Sequence, residues 1–219
     1  MKTDAQLKND VTRELEWDPA INANQVGVIA KAGVVTLTGH LETYAEKAAV
    51  ERAVQRVEGV RALAMELDVK LAPNHHRSDA EIAEAAETSL RWHALVPSDR
   101  IRAKVEKGWL TLSGDVDWDY QRRSAEKAVR ALTGVVGVSN NITIRATATP
   151  TNIATRIREA LERHAEREAK RIEVDVSGTT VTLRGRVESW EERQAAYGAA
   201  WAAPGIDRVV NELTVGVTP

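Results

Sequence analysis

Cysteine and phenylalanine are both absent from this 219-residue chain, and aromatic residues make up only 4% of it. Without cysteine there is no disulfide framework, no thiol nucleophile and no thiolate metal site. No stretch of about 18 apolar residues occurs, so nothing reads as a transmembrane segment. Neither sign of charge dominates: 30 basic and 32 acidic residues leave a net charge of −2. That balance supplies no global attraction to nucleic acid. No apolar run follows Met1-Lys2-Thr3-Asp4, so the start does not read as a signal peptide and the expected location is cytoplasmic.

What the chain does contain is a repeat. Gly33-Val34-Val35-Thr36-Leu37-Thr38-Gly39 returns as Gly108-Trp109-Leu110-Thr111-Leu112-Ser113-Gly114 and as Gly178-Thr179-Thr180-Val181-Thr182-Leu183-Arg184-Gly185. The closing glycines Gly39, Gly114 and Gly185 are 75 and then 71 residues apart (114 − 39 and 185 − 114). Three copies of one small module therefore fill the chain: residues 1–72, 78–145 and 151–219, joined by linkers 73–77 and 146–150. A module repeated in tandem supplies surface more readily than chemistry.

Each copy opens with a helical stripe: Leu7, Val11, Leu15; Ile82, Ala86, Leu90; Ile153, Ile157, Leu161. Thr3-x-x-Gln6 and Ser78-x-x-Glu81 fit the capping box, and Thr151-Asn152 offers cap residues without it. A hairpin follows, with Ile101, Ala103 and Val105 alternating against Arg100, Arg102 and Lys104. The closing glycine is expected to end the second strand by turning the chain sharply. A second helix runs over 44–57, 119–132 and 190–202 and stops at Gly59, Gly134 or Gly205. A last strand alternates through Leu63-Met65-Leu67-Val69, Val138-Asn140-Ile142-Ile144 and Val209-Asn211-Leu213-Val215. The expected fold is an α+β sandwich, α-β-β-α-β three times, each copy packing two helices on one face of a small three-stranded mixed sheet.

The pattern Gly-x-Val-x-Leu-x-Gly-x-Val, a charged helix, then Gly-Val-x-x-Val-x-Asn-x-Leu-x-Val resembles the BON module. It reads most fully in Leu112-Ser113-Gly114-Asp115-Val116 with Gly134-Val135 and Val138-Ser139-Asn140-Asn141-Ile142. It reads again in Leu183-Arg184-Gly185-Arg186-Val187 with Gly205-Ile206 and Val209-Val210-Asn211-Glu212-Leu213. Copy one departs from it, with Met65 where the others carry Asn140 and Asn211. The resemblance implies a module without known catalysis and with a role in binding phospholipid or envelope partners. Tandem members resemble osmotic-stress periplasmic proteins that carry a signal peptide.

Candidate chemistry is sparse, and no cofactor or metal is implied. The histidines His40, His75, His76, His93 and His164 fall at unrelated module positions. His75-His76 reads as a solvated linker, because adjacent residues do not share the helical spacing of a metal pair. The outer sheet faces say more. Alternation points Arg100, Arg102, Lys104, Thr111, Ser113, Asn141, Thr143 and Arg145 outward in copy two, a face of four cations and no acid, with Trp109 at its edge. The corresponding face is near neutral in copy one, which includes Glu66 and Asp68, and mixed in copy three, which begins with Arg171. Trp118 with Tyr120, Arg122 and Arg123 forms a second candidate spot.

Two readings of that basic face compete. It contacts anionic phospholipid headgroups, or it is simply a solvated strand face or one that docks on an acidic neighbour such as Glu66 and Asp68. Trp17 and Trp92 follow the first helix at equivalent places and are expected to cover one end of the core. Trp190 and Trp201 are expected in the core or between modules. The sequence thus points to a non-enzymatic stress-associated binding protein, with an anionic phospholipid surface as the first partner. The alternative is a scaffold for an envelope or cytosolic protein, or for self-association.

Overall fold

A computed structural model describes residues 2–145, 153–164 and 172–216. The second linker, Thr151, Asn152, Arg171 and the side chain of Leu161 lie outside the described residues. Module one comprises α1 (Asp4–Trp17), β1 (Val26–Lys31), β2 (Val34–Leu41), α2 (Tyr44–Arg56) and β3 (Ala62–Val69). Module two comprises α3 (Asp79–Trp92), β4 (Ile101–Glu106), β5 (Trp109–Val116), α4 (Asp119–Arg130) and β6 (Gly137–Ile144). Module three comprises α5 (Ile153–His164), β7 (Ile172–Ser177), β8 (Thr180–Val187), α6 (Trp190–Trp201) and β9 (Arg208–Val215).

Each module holds one three-stranded sheet with its second strand in the centre. The hairpin pair is antiparallel, and the last strand returns parallel to the centre after crossing over through the second helix. The α-β-β-α-β expectation is therefore met. Both capping boxes form: Thr3 and Gln6 exchange side-chain bonds with each other's backbone N–H, as do Ser78 and Glu81. These bonds satisfy amides that helix geometry leaves without a partner.

One core is repeated. Leu7, Val11, Leu15, Val35, Leu37, Leu41, Val50, Val54 and Leu67 pack together in module one. Ile82, Ala86, Leu90, Leu110, Leu112, Val116, Ala125, Val129 and Ile142 do so in module two. Ile153, Ile157, Val181, Leu183, Val187, Ala196, Ala200 and Leu213 form the third. Burying each large aliphatic side chain contributes about 1.5–3 kcal/mol, so these stripes carry the fold.

The closing glycines have a different task from the sharp turn expected of them. The central strand runs two residues past each one, to Leu41, Val116 and Val187. Gly39 and Gly114 sit at φ +123° and +129°, and a Cβ at either would overlap the carbonyl oxygen of Gln25 or Arg100 at the start of the facing strand. Glycine is required there because another backbone passes too close for a side chain.

The modules touch one another in sequence and then back to the start. Tyr44, first residue of α2, packs against the module-two core, where burial raises its phenol pKa above the ordinary value. The Arg122 guanidinium of α4 lies 4.6 Å over the ring of Trp201 in α6. Trp190, first residue of α6, packs against the module-one core and donates its indole N–H to the Val60 carbonyl at 3.0 Å. Trp190 is thus an inter-module residue and Trp201 a core residue, the two alternatives expected for them.

Candidate binding face of the second module

The outer face of the module-two sheet is set by strand parity. Ala103, Val105, Leu110 and Leu112 turn toward the helices, so their neighbours Arg102, Lys104, Glu106, Trp109, Thr111, Ser113 and Asp115 turn away. Register places Arg102 beside Ser113, and Ser113 in turn beside Asn141. Lys104 stands beside Thr111, and Thr111 beside Ser139. Arg100 precedes β4, and Arg145 follows β6. The expected cations share one side of the sheet.

That face also carries acid, which overturns the expectation of four cations and none. Arg100 donates to Asp117 at 2.8 and 3.1 Å and to Asp115 at 2.5 Å. Arg145 pairs with the same Asp115 carboxylate. Lys104 meets Glu106 at 3.1 Å. Asp115 and Glu106 fell on the outward parity all along, and Asp117 comes within reach because the chain curls back toward Arg100 beyond Val116. Hydrogen bonding from Arg100 holds both aspartate pKa values below the ordinary range, while the same bonds hold the guanidinium proton more firmly. Arg102 is the exception: it is exposed and has no carboxylate within ion-pair distance among the described residues.

Trp109 does stand at the edge of this face, about half exposed. Its indole N–H donates to the Ser139 hydroxyl at 2.9 Å. The six-membered ring lies across Gly137, where a Cβ would overlap it. The ring therefore covers a backbone stretch that has no side chain of its own, and only its outer surface is available to a partner.

The second candidate spot separates. Trp118 and Tyr120 remain partly exposed at the start of α4. Arg122 and Arg123 turn instead to Asp119, a carboxylate only 2% exposed, with Arg123 at 2.7 Å. Arg122 also reaches the module-three ring described above. Arg122 thus belongs to a joint between modules, while Arg123, Trp118 and Tyr120 stay exposed.

The two asparagines of the pattern are tied into the fold, and one expectation about tryptophan fails. The Asn140 amide donates to the Arg122 carbonyl at 3.0 Å and to Glu126 at 3.2 Å, tying β6 to α4. The Asn211 side chain accepts from Leu213 N–H at 3.2 Å, and Met65 at the matching place packs on the module-one core. Trp17 and Trp92 were expected to cover the core, yet they are 85% and 82% exposed. Each ends a helix whose inward stripe is already complete at Leu15 or Leu90, so the next residues project from the far side. The proposed docking of the module-two face on Glu66 and Asp68 does not occur within the chain, because both faces stay open.

The BON domain model matches residues 3–70, 78–146 and 149–217. The chain belongs to the BON family. It is 28% identical over 126 residues to osmotically-inducible protein Y of Escherichia coli (strain K12), covering 56% of this chain and 63% of that one. The chain thus matches somewhat under two thirds of that relative's length. Among solved structures, the C-terminal domain of CdsD, a structural protein of the type III secretion system of Chlamydia trachomatis, aligns over 99% of this chain and 100% of its own. The identity is 14% and the TM-score 0.27. Among the described residues, no helix is long and apolar enough to cross a membrane, and no group of His, Asp and Glu is arranged to hold a metal ion.

Proposed function

We propose that this BON-family chain is a stress-associated, non-enzymatic binding protein that meets anionic phospholipid surfaces through the open face of its second module. The observation that carries this reading is Arg102, an exposed cation without a carboxylate partner among the described residues, on the same open face as Lys104 and as half-exposed Trp109 at its edge. The stress association is supported by the likeness to osmotically-inducible protein Y. A surface role also fits the groove beneath Trp17, whose Lys2–Asp10 pair is made at 2.9 Å and whose Glu14 is held by Arg56. Charges paired in this way do not converge on a reacting atom.

Magnitudes limit the contact. A basic residue near an anionic membrane contributes about 1 kcal/mol, and with Lys104 offset by Glu106 the unpaired Arg102 gives about that much, a factor of ~5 over a neutral membrane. Attraction of that size is salt-sensitive, since the screening length is about 8–10 Å at ordinary ionic strength. Flotation with phosphatidylglycerol-containing and pure phosphatidylcholine vesicles tests it. Capture by the anionic vesicles at low salt, lost at moderate salt, is expected. No capture at low salt removes the reading.

A scaffold for protein partners is the second reading, favoured by Trp17 and Trp92. Two large apolar rings left in solvent at matching module positions are not explained by the fold. They project from the helical layer, away from the charged sheet face, and so offer a separate surface.

A further inference from the structure

The three joints between modules are built from one module position. Tyr44, Asp119 and Trp190 are each the first residue of a second helix, and each lies at or beside a joint. Tyr44 enters module two. Asp119 is buried and holds Arg122, which covers Trp201 of module three. Trp190 enters module one.

The third joint differs from the other two in one respect. Modules one and two are covalent neighbours, as are two and three, and a short tether keeps neighbours at an effective concentration of about millimolar. Trp190 and Val60 are 130 residues apart, so no direct tether joins module three to module one. The contact has to hold by its own chemistry. The indole packs on the module-one core and bonds to a backbone carbonyl, while the Arg193 guanidinium lies over the same ring, 5.2 Å from its centroid, as a cation–π partner. Helices α2 and α6 are in contact. Ala48 and Ala49 of α2 are buried although neither belongs to the module-one core cluster.

We infer that Trp190 is a clasp: it closes the tandem into a ring of three modules, and the ring opens at this joint while the three cores stay folded. The Trp190 ring is accessory to the module-three core, which is complete through Trp201, Ala196 and Ala200 without it. Interfaces of this kind between modules of one chain are ordinarily the first to part.

Small-angle scattering of the full chain tests the clasp, alongside thermal unfolding followed by circular dichroism. Trp190→Ala is expected to lengthen the maximum dimension by on the order of 20–30 Å, about one module diameter, while the secondary structure and its cooperative loss persist. Trp190→Glu, which sets a charge against the module-one core without altering a member of the module-three core cluster, is expected to produce the same lengthening. Unchanged dimensions in both variants overturn the inference. So does loss of folded secondary structure in both variants, because Trp190 then belongs to a core and not to a clasp.

Discussion

Module one carries Val34 beside Ala62 on its open face, where module two carries Trp109 beside Gly137. Gln25 and His40 of module one stand where module two has Arg100 and Asp115, which pair with each other. Gly27 and Ile29 stand where module two has Arg102 and Lys104. Behind these differences the cores match position by position: Leu15 with Leu90, Val35 with Leu110, Leu37 with Leu112, Leu41 with Val116. Most of these outward changes come in compensating pairs, a larger ring with a smaller neighbour and a new cation with a new anion, and Arg102 in place of Gly27 is the one left uncompensated among the described residues. The lesson is that the outer face has been rebuilt as a unit, and its net charge is set by such pairs more than by its cations alone.

The largest effects should come from the shared interior. Leu37→Ala and Leu112→Ala each remove a side chain with no exposed surface, and each is expected to destabilise its module by about 2–5 kcal/mol in denaturant titration. Similar losses in the two modules support one repeated core. A loss confined to one of them breaks the comparison at its base.

A smaller effect probes the size compensation. Gly137→Ala alone forces the Trp109 ring off its seat, whereas Trp109→Val with Gly137→Ala restores the module-one arrangement. The double variant is expected to be more stable than the sum of the single changes by about 0.5–3 kcal/mol, measured as a double-mutant cycle. Additive behaviour would mean that the ring and the glycine are not a matched pair.

The interior was legible in the sequence because its signal is periodic. Leu7-Val11-Leu15 and Ile101-Ala103-Val105 repeat at the spacing that helices and strands impose, and the same spacing recurs in each copy. The outer face was legible only in part. Parity placed Arg102 and Lys104 correctly, but Asp117 joins Arg100 through a curl of the chain that no period reports. Asp115 could have been found, since it continues the alternation of Thr111 and Ser113 beyond Gly114. Trp17 and Trp92 were misplaced because tryptophan is ordinarily buried, while the helix phase, which puts them past a completed stripe, argued the opposite. The joints at Tyr44 and Trp190 carry no local signal beyond an aromatic residue at a helix start, and only the packing of one module on another identifies them.

If the open face of module two meets anionic membranes as proposed, the balance of its cations and carboxylates sets the attraction. Partition of two full-length variants onto phosphatidylglycerol-containing vesicles at low salt tests it most directly. Arg102→Gln with Lys104→Gln is expected to weaken binding by about 30-fold, and Asp115→Asn with Asp117→Asn, which releases Arg100 and Arg145 from these carboxylates, to strengthen it by about 10-fold or more. Opposite movements of that kind are what the account requires. Equal partition of both variants and the unaltered chain would contradict it.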